Sequence, residues 1–219
     1  MKRVIISDTH IGSKFYKSED LLLFLKTVEY DELILAGDII DFIKIPVFTD
    51  RCMEIIESID TSKKIIYVVG NHDESFLSIV GQKFFNIDFL KRYEFEESGR
   101  KFRIEHGDAY DKGVIHNRIF IKILSIFQNM LEFALDFDFT TWWTNIQIKK
   151  HKLRSVIHIL RKNDDIDVFI MGHTHNPEAL IWVDEDQRIK TYINAGDWVT
   201  HQTYVTVIDG VARLRKFKE

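Results

Sequence analysis

The chain has 219 residues, 45% hydrophobic and 29% charged, with ten Gly and two Pro; this excludes a disordered or fibrous protein and fits one large domain, or one domain carrying an insertion. The formal net charge of −4 gives no general pull toward nucleic acid, but it is unevenly spread: residues 112–163 carry nine Lys or Arg against three Asp or Glu, a surplus of +6 that leaves −10 on the rest. The single cysteine, Cys52, excludes an internal disulfide, fits a reducing compartment and, inside an apolar helical pattern, reads as a buried inert thiol.

Residues 3–7 (RVIIS) are short, β-branched and apolar, as a buried strand requires. No signal peptide is expected ahead of them, because MKRVIISD runs directly into the β pattern. A helix is predicted over 18–29, with Ser18 as its N-cap and acidic residues in its first turn. A strand at 32–37, a helix around 53–59 and a strand at 63–70 follow. Strands alternating with helices predict βαβ units and a largely parallel sheet buried on both faces. Residues 101–107 and 167–173 are further strands ending in polar residues. The last four apolar segments (ALIWVD, IKTYINAG, TYVTVIDG and VARLRKF) suggest an antiparallel second sheet.

Residues 112–163 break this pattern. Phe120, Ile123, Leu124, Phe127, Met130, Leu131 and Ala134 recur at helical spacing, and a second helix is expected over 146–160 with Lys149, Lys150, Lys152 and Arg154. The segment reads as a helical insertion between the two core segments 1–111 and 164–219. No apolar stretch reaches the roughly 18 residues that a membrane span needs. The expected location is the cytoplasm, or the cytoplasmic face of the inner membrane.

Nearly every predicted strand ends in Asp, Asn or His. Asp8 and His10 follow the first, Asp38 and Asp41 the second, and Asn71, His72 and Asp73 the third. His106 and Asp108 follow the fourth, and His173 and His175 the next. In open α/β sheets, ligands bind at the carboxyl ends of strands, so these residues converge on one edge. Carboxylate oxygens and imidazoles without thiolates suit Mn²⁺, Fe or Zn²⁺, and seven or more ligands are too many for one ion and about right for two. Two such ions can clamp a phosphoryl group and activate water. The glycines beside the ligands (Gly37, Gly70, Gly107 and Gly172) permit tight turns and close backbone approach. Taken singly, each motif reads most simply as a polar turn or a surface pair. Their joint occurrence, in order and each after an apolar strand, is what points to a site.

Asp8-x-His10, Gly37-Asp38-x-x-Asp41, Gly70-Asn71-His72-Asp73, His106-Gly107 and Gly172-His173-x-His175 resemble the five motifs of the calcineurin-like metallophosphoesterases. The resemblance implies a four-layer αββα sandwich and a centre of two divalent metal ions, Mn²⁺ first among the candidates. It implies that Asp8, His10 and His175 hold one ion, that Asn71, His106 and His173 hold the other, and that Asp38 bridges them. His72 would face the scissile phosphate and protonate the leaving oxygen, oriented by Asp41. The nucleophile would be a metal-bridging hydroxide. Asp73 reads as a turn former or a hydrogen-bonding neighbour of the ligands rather than a ligand.

A narrower resemblance is to the UDP-2,3-diacylglucosamine hydrolase branch, which cleaves a pyrophosphate in lipid A synthesis. The insertion lies where that branch carries its lid, Gly172-His173-Thr174-His175-Asn176-Pro177 continues the last motif as it does there, and residues 192–198 (YINAGDW) resemble its Asn-x-Gly-Asp-Trp signature. A segment both apolar and basic suits acyl chains, an anionic headgroup or a membrane surface, although an apolar helical face also packs on a domain beneath it. Trp142 and Trp143 fit an interfacial anchor or a core equally. Some members of the branch carry Arg after the metal-binding Asn, whereas this chain carries His72, as generic phosphoesterases and other members of the branch do. The partner expected is thus a phosphoester or nucleotide-lipid substrate, with membrane contact through the lid and nucleic acid disfavoured. The alternatives are a soluble phosphodiesterase, phosphatase or nuclease on the same core, and a scaffold without catalysis, against which the intact ligand set argues. Of the other histidines, His116, His151 and His158 read first as surface residues, with substrate contact the alternative for His116, and His201 reads more simply as a residue away from the site, with a place near it, shortly after the Gly-Asp-Trp, as the alternative. Asp108 and Asp111 are candidates to orient neighbouring groups.

Overall fold

The computed structural model describes residues 1–42, 49–110 and 165–218. The insertion 112–163, with its helices, His116, His151, His158, Trp142 and Trp143, lies outside them, as does Asp111. Among the described residues, no helix is long and apolar enough to cross a membrane.

The elements in order are β1 (Lys2–Ile6), α1 (Ser18–Thr27), β2 (Glu32–Ala36), α2 (Asp50–Glu57), β3 (Lys64–Val68), β4 (Lys83–Phe84), β5 (Ile87–Leu90), β6 (Arg92–Glu97) and β7 (Arg100–Glu105), then β8 (Val168–Met171), β9 (Glu178–Val183), β10 (Ile189–Asn194), β11 (Thr203–Ile208) and β12 (Val211–Lys216). Short 3₁₀ helices occupy Glu74–Ile79 and Asp108–Tyr110. One sheet has seven strands in the order β12-β11-β1-β2-β3-β5-β4, and the other has five in the order β6-β7-β8-β10-β9. β1, β2, β3 and β5 run parallel, as do β7, β8 and β10.

Strand alternation builds the layers, because successive side chains point to opposite faces. Val4 and Ile6 of β1, Leu33 and Leu35 of β2, and Ile65 and Tyr67 of β3 pack with Leu21, Phe24 and Leu25 of α1 and Ile55 of α2. Ile5, Ile34 and Ile66 point the other way, against Phe102, Ile104, Val168 and Ile170 of the second sheet. Phe169 and Met171 of β8 then face outward with Tyr192. The described residues therefore supply a helical layer on two stacked sheets, the architecture expected of an αββα sandwich.

Three local readings change. Ser18 is not the cap of α1: it is the first helical residue, and Lys17 stands at the cap position without a side-chain cap bond. The second helix starts earlier than expected because the Thr49 side chain accepts the Cys52 amide and begins the helix there. The last four strands do not form their own antiparallel sheet. β9 and β10 complete the second sheet, where β10 runs parallel to β8, while β11 and β12 join the first sheet antiparallel to β1. β10 is buried on both faces, Ile193 between the sheets and Tyr192 outside, so it needs a neighbour on each side. Strands β4, β5 and β6 were not anticipated, since residues 83–97 mix charge and aromatic residues with little periodicity.

Candidate metal centre

The carboxyl ends of β1, β2, β3, β7 and β8 open onto one edge, and the loops leaving them are laced together. Asp8 and His10 donate their amides to the carbonyls of Gly37 and Asp38, and Ile11 donates to Ile39. Asp41 donates back to Ile11, and Gly172 to His106. Asp8 (φ 52°), His10 (φ 46°), Asp38 (φ 54°), His173 (φ 66°) and His175 (φ 56°) all have left-handed backbones. That conformation costs a non-glycine residue on the order of 1–3 kcal/mol and concentrates at functional sites. Two glycines are required by close approach. A Cβ on Gly172 would run into Ser7 Oγ and Asp8 Oδ2, and one on Gly70 would run into Asp38 Oδ1 and its amide.

Three groups of side chains place their ligand atoms within 4.8 Å of one another: Asp8, His10 and His175; His10, Asp38 and His72; and Asp38, His106 and His173. His10 Nε2 lies 3.1 Å from His175 Nε2, which lies 3.2 Å from Asp8 Oδ1. His106 Nε2 lies 3.1 Å from both Asp38 Oδ2 and Asn71 Oδ1. All seven residues singled out as ligands thus meet at this edge. His72 Nδ1 is 2.9 Å from Asp41 Oδ1, and Asp41 Oδ2 is 3.6 Å from His10 Nδ1, so one carboxylate steers two imidazoles. The His72 amide donates to Asp38 Oδ1 at 2.8 Å.

This set fits divalent cations. Asp8 Oδ1 is buried and has no hydrogen-bond partner among the described residues. Two imidazole nitrogens at 3.1 Å cannot both carry protons comfortably, and the remaining lone pairs face carboxylates and an amide oxygen. Oxygen and imidazole donors without sulfur match Mn²⁺, Fe or Zn²⁺.

The electrostatics agree. Burial opposes ionisation of Asp8, but the His175 imidazole outweighs it and brings the carboxyl down to about 2. Asp38 and Asp41 are buried too, and are likewise held below the usual carboxylate range, Asp38 by His106 and His72, and Asp41 by His10 and His72. Burial also opposes charging of His106 and His175, yet Asp38 lifts His106 to about 10 and Asp8 lifts His175 to about 9. His72 is raised by Asp38 and Asp41 against its own desolvation.

The remaining candidates take other positions. Asp73 points away from the centre: it accepts from the amides of Gly70 and Ile39 and from Tyr67 Oη, tying the third strand end to the second. Asp108 meets Lys91, whose ammonium also reaches the Val69 carbonyl at 3.1 Å. His201 pairs with buried Asp197 through Nδ1 at 2.5 Å. Ser7, which was passed over in the sequence, donates to Asp8 Oδ2 at 2.5 Å. Its one signal was a polar residue closing an apolar strand.

The chain belongs to the calcineurin-like phosphoesterase family, whose model matches residues 1–177. It is accordingly a metal-dependent phosphoesterase, with a divalent metal centre as the family's chemistry requires. Among solved structures it is similar to Vps29 from Chaetomium thermophilum (12% identity, TM-score 0.51), over 98% of this chain and 85% of that one. It is also similar to Yfce, a phosphoesterase from E. coli (14% identity, TM-score 0.50), over 99% of this chain and 93% of that one. An archaeal phosphodiesterase aligns at 17% identity and TM-score 0.47 over 99% of each chain. No curated protein matches the sequence.

Proposed function

We propose that this chain is a dinuclear-metal phosphoester hydrolase acting on the pyrophosphate of UDP-2,3-diacylglucosamine or a related lipid-linked nucleotide. The observation that carries the dinuclear reading is the position of Asp38, shared between the groups containing His10 and His106. Asp8, His10 and His175 would hold one ion, Asn71, His106 and His173 the other, and Asp38 both, with Mn²⁺ the first candidate. Bound there, two divalent ions would neutralise phosphoryl charge and lower the pKa of water. The chain's own part is a proton: His72 is held through Nδ1 by Asp41, which leaves Nε2 for a leaving oxygen.

The substrate rests on the sequence. The insertion 112–163 falls between His106 and His173 and combines an apolar helical pattern with a +6 charge surplus. It would act as a lid over an acyl-bearing, anionic substrate and bring the enzyme to the inner-membrane surface. His72, where some lipid-branch members carry Arg, favours a second reading: a soluble phosphodiesterase or phosphatase on the same core. Nucleic acid is disfavoured because the body outside the insertion is acidic.

Protein loaded with Mn²⁺ should be assayed on UDP-2,3-diacylglucosamine, bis-(p-nitrophenyl) phosphate and p-nitrophenyl phosphate in parallel. Release of UMP from the lipid supports the first reading. Turnover of the small diester with none of the lipid establishes the second.

A further inference from the structure

Residues 192–198 (YINAGDW) supply none of the metal-ligand or proton-transfer candidates, yet they touch the loops that do. β10 and β8 run parallel in register, with Asn194 beside Met171, and the Ala195 amide extends the ladder to the Met171 carbonyl at 2.8 Å. Beyond that point β8 turns into Gly172–Thr174–His175, where His173 and His175 both take left-handed backbones. Such a loop needs external restraint, because each of those residues is held out of its preferred conformation. Asn194 provides it. Its side chain is fully buried, and its Nδ2 donates to the Gly172 carbonyl at 2.7 Å and to Thr174 Oγ1 at 3.0 Å. Its Oδ1 accepts the Gly196 amide at 2.9 Å. Four residues on, the Trp198 amide donates to the Asp8 carbonyl at 3.1 Å, and the Trp198 carbonyl accepts from Lys17. One short segment therefore grips both the loop of His175 and the loop of Asp8.

We infer that Asn194 is a positioning residue for the metal centre: its carboxamide holds the Gly172–His175 backbone in the shape that presents His175 to Asp8 and His10. The inference rests on the reading of these residues as a metal site. It extends that reading to a residue with no ligand atom in the cluster. Removing the carboxamide leaves the Gly172 carbonyl with only the Thr174 amide at 2.8 Å, takes the Asn194 donor from the Thr174 hydroxyl and loosens the loop, whereas the two sheets keep their own ladders. Asn194→Asp keeps the acceptor for Gly196 but sets an oxygen against the Gly172 carbonyl, so it should fail as Asn194→Ala does.

Two measurements on the full chain test this. In metal-free protein, exchange at the amides of His173 and Thr174, which are bonded to Asp8 Oδ2 and the Gly172 carbonyl, should accelerate in Asn194→Ala while Ile5 and Ile66 keep wild-type protection. In titrations with Mn²⁺, affinity for one of two ions should fall roughly 10–100-fold, with activity regained at high Mn²⁺. Thr174→Val, which removes one contact from the loop side, should shift both readouts the same way by less, and it decides the matter if Asn194→Ala does not fold. Unchanged exchange and Mn²⁺ affinity would overturn the inference. So would exchange that rises equally across both sheets with no rescue by metal, since that is loss of structure rather than of positioning. If the wild type binds no Mn²⁺, the metal-site reading fails by itself, and the exchange comparison still judges the clamp.

Discussion

At the scale of single residues, the candidate centre is built of carboxylates and imidazoles on which a proton and a metal ion would compete. His72 is the clearest case of a group with its own task. It is tied to Asp41 at 2.9 Å through Nδ1, and its Nε2 lies 3.9 Å from Asp38 Oδ2. His72→Ala should keep the wild-type metal content and lose roughly 10²–10⁴ in turnover, and the loss should be smaller for p-nitrophenyl leaving groups, which need less protonation. Metal content by mass spectrometry beside kcat for each substrate checks this, and full activity in the variant would refute the proton-donor role. A second expectation concerns pH. His175 at about 9 and His106 at about 10 lie above the ordinary value of 6.5, so their pairing with Asp8 and Asp38 stabilises metal-free protein fully below about pH 6.5. That contribution fades as pH rises through 9 to 10. The lowered Asp8 works in the opposite sense: its share is present above 3.8 and is lost as pH falls through about 2. Metal requires both imidazoles deprotonated, so Mn²⁺ affinity should climb from pH 6.5 toward 9 with release of protons. Calorimetry in buffers of different ionisation enthalpy reads the proton count; a pH-independent affinity with no proton release would contradict it.

At the scale of elements, strands deliver the ligands and loops aim them. β1, β2 and β3 are short and buried on both faces, so their carboxyl ends cannot slide without moving an apolar side chain between layers. The loops after them depend on each other: Asp8 on Gly37, His10 on Asp38, His173 on Asp8 Oδ2 at 2.9 Å. Gly172 is the tightest of these joints. Gly172→Ala would push a methyl group into Ser7 Oγ and Asp8 Oδ2. It should cost about 1–3 kcal/mol in urea unfolding and weaken metal binding besides, because the side chain it displaces is a ligand candidate. Wild-type stability together with wild-type metal affinity would show that the loop yields more readily than its packing indicates.

At the scale of the whole molecule, the centre joins two sheets. Asp8, Asp38 and Asn71 leave strands of the seven-stranded sheet, whereas His106, His173 and His175 leave strands of the other. Metal bound among them would act as a cross-link between layers, and binding to the folded state alone stabilises it by mass action. Mn²⁺ at 100 times its dissociation constant should add about 2.7 kcal/mol, reversed by chelator. Asp38→Ala should lose that stabilisation together with activity, because its carboxylate lies in both groups. Thermal melts with and without Mn²⁺ give the comparison, and an equal metal-induced shift in the variant would remove Asp38 from the centre.

The sequence by itself determined the strand ends and the chemistry placed on them. Apolar runs closing in Asp, Asn or His are local features, and five of them in one chain define an edge before any contact is known. It did not determine how the last four strands divide between the sheets, since each has a similar short β pattern and even burial does not sort them: β10 and β11 are both buried on two faces yet join different sheets. Nor could it show that Asp41 steers His10 as well as His72, that Asp73 turns inward to Tyr67, or that Asn194 reaches Gly172. Those pairings are side-chain directions across packed layers. Spacing along the chain carries no information about them, and only the stacking of the two sheets decides which strand ends face one another.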